Sequence, residues 1–351
     1  MNTTNGMRVT MKRTIYLDWL RILAALAVVT IHVAAGVVTD KAQTYESPWM
    51  AGNFFESISR WAVPMFVMIS GALMLSSKKE ISTSNFLETK MAKILIPLFA
   101  FSVIYYANEV RKGEFTFSIS DFIERFATDD IMYHLWFLYM IAGLYLITPL
   151  LKILIQHAKR KDVEYFLLLW LFASVISKAL EYFIGYSFKI ELFFVTHYVG
   201  YFVLGYYLYT YDLQEKWRNL LYFGGFVGWI TTFFMTYHES VKLDEPLEHY
   251  WYDEHSPNVL LVAVALFVLF KSTKLGEAKL PWIGTVISQA SFGIYLIHVL
   301  VMQTLYEKFE FVWFDLHPII GIPYKILIVT ALSTILVSLV RKVPIVRGII
   351  P

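Results

Sequence analysis

The sequence predicts an all-α integral membrane protein, a bundle of about ten transmembrane helices with both termini cytoplasmic, and three observations carry that prediction. Of its 351 residues 57% are hydrophobic and only 17% charged, with a mean hydropathy of +0.55, the composition of a chain solvated by lipid. Ten apolar runs recur along the chain, against the roughly 20 helical residues that cross about 30 Å of hydrocarbon. Lysine and arginine alternate between connecting segments in the way that cytoplasmic loops accumulate positive charge.

The runs lie near 15–38, 53–75, 91–107, 132–155, 163–184, 193–211, 217–237, 258–271, 285–306 and 318–340, the third and eighth being short. They are continuous rather than alternating, which excludes a transmembrane barrel. Counted from a cytoplasmic N-terminus, the inner segments hold 19 of the 30 Lys and Arg and the outer segments 8, with Arg21, Arg60 and Lys325 inside spans. Because the excess recurs at nearly every loop, it supports the count as well as the orientation. Asp18 and Arg21 interrupt the first run where the core of a signal peptide would be unbroken, so that run reads as a retained span. The whole chain, 1–351, reads as a single membrane domain with modest outer loops at 108–131 and 238–257.

Composition also removes functions. A net charge of +2 leaves no basic excess to neutralise a nucleic-acid backbone, so the expected partners are membrane lipids and small molecules. Cysteine is absent, which excludes disulfides, thiolate metal sites and an acyl-cysteine intermediate; no metal is expected.

Ionisable groups inside a span are costly and point to function. In the first span Arg21 and His32 are eleven residues apart, which places them roughly 20° apart around the helix and about 16 Å apart along it. Between them on that face, Ala24, Ala25 and Val28 would leave a slot beside the helix. The geometry suits a ligand with an anionic head near the inner surface and a thin arm bearing its reactive group, the form of coenzyme A. The Arg21 guanidinium would hold a phosphate and His32 would take the proton of an attacking hydroxyl. The alternative is a snorkelling arginine and a histidine that bonds a neighbouring helix.

The second span aligns Glu56, Arg60, Pro64, Val67 and Gly71 on one stripe, with Pro64 expected to bend it. Glu56 and Arg60 read either as an internal pair or as acceptor-orienting groups. The fourth and sixth spans would bring His134, Trp136 and His197 to the outer surface near His32 and Arg60, where rings stack on sugar faces or serve as interfacial belt. Ser291, Tyr295 and His298 share a face of the ninth span, and helix-to-helix hydrogen bonding is the preferred reading over a nucleophilic triad. The outer loop with His238, His249 and His255 among Glu239, Asp244, Glu245, Glu248, Asp253 and Glu254 matches no metal-ligand spacing and reads as a solvated acidic loop.

Tyr16-Leu17-Asp18-Trp19-Leu20-Arg21 followed by Ala24-Ala25-Leu26 and His32 resembles the opening of the acyltransferase family 3 membrane proteins. In order behind it come Arg60-Trp61-Ala62-Val63-Pro64-Met65-Phe66 with Ser70-Gly71, then His134-Leu135-Trp136-Phe137-Leu138-Tyr139. Tyr198-Val199-Gly200-Tyr201-Phe202 with Leu204-Gly205-Tyr206, and Ser291-Phe292-Gly293-Ile294-Tyr295-Leu296-Ile297-His298, complete the series. The resemblance, which extends to single-domain O-acetyltransferases of enterobacterial common antigen and related surface polysaccharides, implies a ten-helix enzyme of the bacterial cytoplasmic membrane. It implies acetyl-CoA as donor, a hydroxyl of an envelope glycan or lipid-linked sugar as acceptor, and essential roles for Arg21 and His32. Where many relatives carry an Arg-x-x-Arg pair at the inner start of the third span, Lys90 and Lys93 stand here, keeping charge for coenzyme A phosphates without bidentate geometry. Two other classes fit buried charge in a span: a transporter or flippase of a polysaccharide precursor or acylated product, and an acyltransferase drawing on lipid-bound donors. Neither requires the Arg21–His32 spacing, and no inverted repeat supports the first.

Overall fold

A computed structural model describes residues 14–39, 46–77, 82–186, 192, 195–243, 250–308, 316–344 and 346–350. Among the described residues every regular element is helical. Lys41, Lys78, Lys79, Lys189, Asp244, Glu245, Glu248 and His249 lie outside them, as do the side chain of Lys242 and the basic N-terminal residues Arg8, Lys12 and Arg13.

Among the described residues each apolar run is largely helical. Seven stretches among the described residues are long and apolar enough to cross a membrane: Ile15–Val38, Ser47–Leu75, Trp136–His157, Arg160–Ile184, Glu215–Ser240, Trp282–Lys308 and Pro318–Val340. The other three runs fall in α4 (Thr83–Lys112), α9 (Tyr198–Thr210) and α11 (Pro257–Ser272), the last two of 13 and 16 residues. The segment after α4, expected to be an outer loop, contains regular structure. It contains α5 (Ile119–Thr128), whose first turn is closed by the Ser118 hydroxyl accepting from the Asp121 amide.

The second run does not bend at Pro64. It is two helices, α2 (Ser47–Ser57) and α3 (Ala62–Leu75), parted by a turn at 58–61. Proline excludes the carbonyl four residues before it from a regular helix, and that carbonyl belongs to Arg60. The break is therefore displaced one turn upstream, while Pro64 sits in the first turn of α3, where an amide would lack an intrahelical partner anyway. The fifth run is likewise irregular, with α7 (Arg160–Trp170) passing through a π-helical turn, Leu171–Ile176, into α8 (Ser177–Ile184).

Helix α1 (Ile15–Val38) runs through the interior, packed on α2, α3, the short α12 (Lys274–Glu277), α13 (Trp282–Lys308) and α14 (Pro318–Val340). Ala24, Ala25 and Val28 are buried in those contacts, so the expected slot beside α1 is closed: small side chains here let helices approach. Helices α3 and α9 approach each other closely. A Cβ added to Gly71 would lie 1.8 Å from the Phe202 carbonyl oxygen, and one on Gly205 would lie 2.0 Å from that of Met68, so only glycine permits the crossing. Helix α6 (Trp136–His157) packs on α4, and α10 (Glu215–Leu243) on α11.

Candidate active site

A cavity of about 640 Å³ opens between α1, α3, α4, α6 and α13. Arg21, Lys90, Lys93 and Lys152 line it together with Ser70, Ser77 and Ser291, and its remaining wall is apolar and aromatic, with Phe66, Phe137, Phe292 and Tyr295. Phe137 and Lys152 are fifteen residues apart on α6, so the cavity extends for about 22 Å along that helix. The three cations singled out from sequence therefore share one chamber. Lys93 is exposed, whereas Arg21, Lys90 and Lys152 are partly buried.

Arg21 is held in place from within its own helix. Its Nη1 lies 2.9 Å from Asp18 Oδ1, the same oxygen that accepts a hydrogen bond from the Ser288 hydroxyl of α13 at 3.0 Å. Asp18 is 4% exposed, and the three residues fix the guanidinium at the cavity wall by a charge-assisted bond and a helix-to-helix one.

At the Phe137 end the cavity abuts a cluster of imidazoles. The Tyr295 ring, a cavity wall, lies 5.1 Å from Phe137, and its hydroxyl donates to the backbone carbonyl of His134. His134 and His298 are buried, with ring centroids 5.4 Å apart. His32 completes the group at 5.0 Å from His298 and 6.4 Å from His134. His32 is not itself among the residues lining the cavity; its ring lies beside His298, one helical turn beyond Tyr295. Among the described residues no group of His, Cys, Asp or Glu could hold a metal ion.

Glu56 and Arg60 form the internal pair, and the Arg60 guanidinium lies 3.9 Å over the Tyr252 ring. The Tyr252 hydroxyl donates to Asn53, whose Oδ1 also accepts from Ser57 and whose amide donates to the Phe233 carbonyl. Glu56 Oε2 and Arg60 Nε remain without hydrogen-bond partners among the described residues. Trp136 faces Tyr198 at 5.7 Å and packs on the interior. His197 stands apart from the imidazole cluster. It is exposed, has a positive φ of 58°, and lies 5.7 Å from His255, held by its amide on Ser174 and its carbonyl on Trp170 Nε1.

The segment 250–256, expected to be solvated, is instead folded against the bundle. Tyr250, Trp251 and Tyr252 are buried, and the aromatic area they remove from water outweighs the neighbouring charge. Asp253 bonds Lys178 at 2.5 Å and the His255 amide at 2.7 Å; burial would raise its carboxyl, but bonds from His255 and Lys178 hold it below the usual carboxylate range. The Ser291, Tyr295 and His298 face also divides. Tyr295 bonds another element, whereas the Ser291 hydroxyl donates to Ser288 within the helix and His298 bonds its own backbone.

This order of elements, from the Asp18–Arg21 turn to the Tyr295–His298 turn, is spanned by the acyltransferase-3 family model, described as an acyltransferase domain, which matches residues 14–340. The chain belongs to that family. The comparison with curated proteins gave no match, and the comparison with solved structures gave none either. Within this acyltransferase, two features of the site escaped the sequence reading. Lys152 counted only toward loop charge, although a lone lysine near the inner end of an apolar run is also a cation at the mouth of a bundle. Asp18 was read as part of a motif; its spacing of i, i+3 from Arg21 was the available signal for an ion pair.

Proposed function

We propose that this membrane acyltransferase moves an acetyl group from cytoplasmic acetyl-CoA to a hydroxyl of a cell-envelope glycan or lipid-linked sugar. It does so in a bacterial cytoplasmic membrane crossed by ten helices, with both termini inside. The observation that carries the reading is the single cavity with four cations on its walls and an imidazole cluster at its far end. Its volume falls within the range of small-molecule sites, roughly 300–1,000 Å³. Its length along α6, about 22 Å, accommodates an anionic head and an extended arm.

In this reading Arg21 binds the donor's phosphates, oriented by Asp18, and Lys90, Lys93 and Lys152 add charge at the same end. Phe66, Phe137 and Phe292 exclude water from the arm. The acceptor enters from the outer side, past Arg60, Glu56 and Trp136, where the unsatisfied Glu56 Oε2 and Arg60 Nε are free to bond hydroxyls. His32 takes the proton as the acceptor oxygen bonds to the thioester carbonyl carbon; the carbon–sulfur bond then breaks, its electron pair leaves on sulfur, and His32 returns the proton to give the free thiol.

The test uses the purified chain in lipid nanodiscs with acetyl-CoA and octyl glucoside as a hydroxyl probe. Wild type is expected to release coenzyme A and acetylate the probe, and His32→Ala to lose about a hundredfold or more in turnover while still binding coenzyme A. Equal turnover by the two proteins sinks the reading. Acetyl content of surface glycans with and without the protein, by mass spectrometry, identifies the acceptor.

A further inference from the structure

His298 is buried, titratable, and not used by the mechanism above. Its Nδ1 lies 2.7 Å from the Tyr295 carbonyl oxygen and 3.2 Å from that of Ile294. Carbonyl oxygens only accept, so Nδ1 carries the hydrogen, and in the neutral ring Nε2 is left as a lone pair. That nitrogen is buried and has no hydrogen-bond partner among the described residues. Because Nδ1 is tied back to its own helix, the opposite edge of the ring points away from α13. Helix α1 packs there, and the His32 ring lies 5.0 Å away at an interplanar angle of 34°.

We infer that His298 is the positioning residue for His32: its Nε2, unpartnered among the described residues, accepts the N–H of the neighbouring His32 imidazole during turnover. Resting on the acyl-transfer reading, this goes beyond it by naming the group that orients the base. A histidine can serve as a base only through the nitrogen without hydrogen, and which nitrogen that is follows from the bond the other one makes. Accepting from one His32 nitrogen fixes the tautomer in which the other is free to receive the acceptor's proton. When that proton arrives, both His32 nitrogens carry hydrogen, and the bond to His298 becomes charge-assisted and stronger. Once the proton passes to the leaving sulfur, the pair returns to its starting state with no net gain or loss. A buried acceptor without a partner costs stability, and the His32 N–H is the donor that relieves it. His134 and Tyr133 before α6, Tyr105 of α4, Tyr295 of α13 and Arg60 surround the pair.

The experiment compares wild type, His32→Ala, His298→Gln and His298→Ala as full-length chains in nanodiscs, with acetyl-CoA and octyl glucoside. His298→Gln is expected to lower kcat about tenfold to a hundredfold while KM for acetyl-CoA and the Kd of coenzyme A stay within about twofold. The acid limb of its pH–rate profile should move, because an amide oxygen is a weaker acceptor for the His32 N–H than the imidazole nitrogen it replaces. His298→Ala should lose as much and regain part of it with added imidazole, which a packing role does not produce. Retention of wild-type kcat and pH profile by His298→Gln overturns the inference, as does a failure of His298→Gln to fold, which makes the residue structural. Active wild type and His298 variants beside an inactive His32→Ala remove this inference alone. A wild type that does not acetylate the probe removes the acyl-transfer reading, and this inference with it.

Discussion

The two ends of the cavity are built on different physical plans. The cationic end has four positive side chains, one exposed and three partly buried, from three helices. The imidazole end has two fully buried rings and one partly buried, held by backbone bonds and ring contacts. Charges near water are individually weak and mutually redundant, since screening and mobile side chains dilute each one. Groups in a dry interior act at full strength, and no neighbour substitutes for a missing one. An anion can thus be gathered by many approximate contacts, while proton transfer depends on a few exact ones.

Losses at the cationic end should therefore be graded and affect binding. The largest follows Arg21→Ala, which removes a cation held by a buried carboxylate and should weaken coenzyme A binding about tenfold by titration calorimetry, with Arg21→Lys recovering part. At the imidazole end Tyr295→Phe removes the donor to the His134 carbonyl. It should lower turnover about fivefold and cost about 1 kcal/mol of stability while leaving the donor's Kd unchanged. A tenfold change in that Kd would break the distinction between the ends. Lys152→Ala should weaken coenzyme A binding about threefold and flatten its dependence on salt concentration, with a smaller effect for the exposed Lys93.

The smallest effect lies outside the cavity. Asp129, half-buried before α6 with φ of 60°, has its carboxyl pushed up to about 6 by burial and then by the charge of Asp130. Since its folded value exceeds the unfolded one, the folded state loses stability as pH rises from about 4 to about 6, and the loss is complete above that window. Asp129→Asn, whose side chain tolerates the same backbone conformation, should match wild type in melting temperature at pH 3.5 and exceed it above pH 6. A gap of equal size at every pH would show that ionisation is not its cause.

Helix number and site chemistry were legible unevenly. The apolar runs stood out because lipid crossing demands length and hydropathy, and Arg21 with His32 stood out because charge in such a run is rare. The break at 58–61 was hidden by apolar residues on both sides of it; only the reach of Pro64 back to the Arg60 carbonyl reveals it. In the 250–256 segment acidic residues drew the reading toward solvent, and the adjacent Tyr-Trp-Tyr decided the outcome. The bonding of His298 was illegible because helical spacing gives the face a ring occupies but not which nitrogen turns back to the backbone. The same limit applied to Ala24, Ala25 and Val28: smallness reads equally as a gap or as an invitation to close one.

The crossing of α3 and α9 through Gly71 and Gly205 sets backbone against backbone, and α3 also carries Phe66, Ile69, Ser70, Leu73 and Met74 along the cavity. A partition seated on main-chain atoms has no rotamers through which to yield. It works as a fixed gauge for whatever lies along it, so under the proposed function a longer acyl chain would find room only at the expense of the opposite side, where α4 shows its outward face to the surroundings.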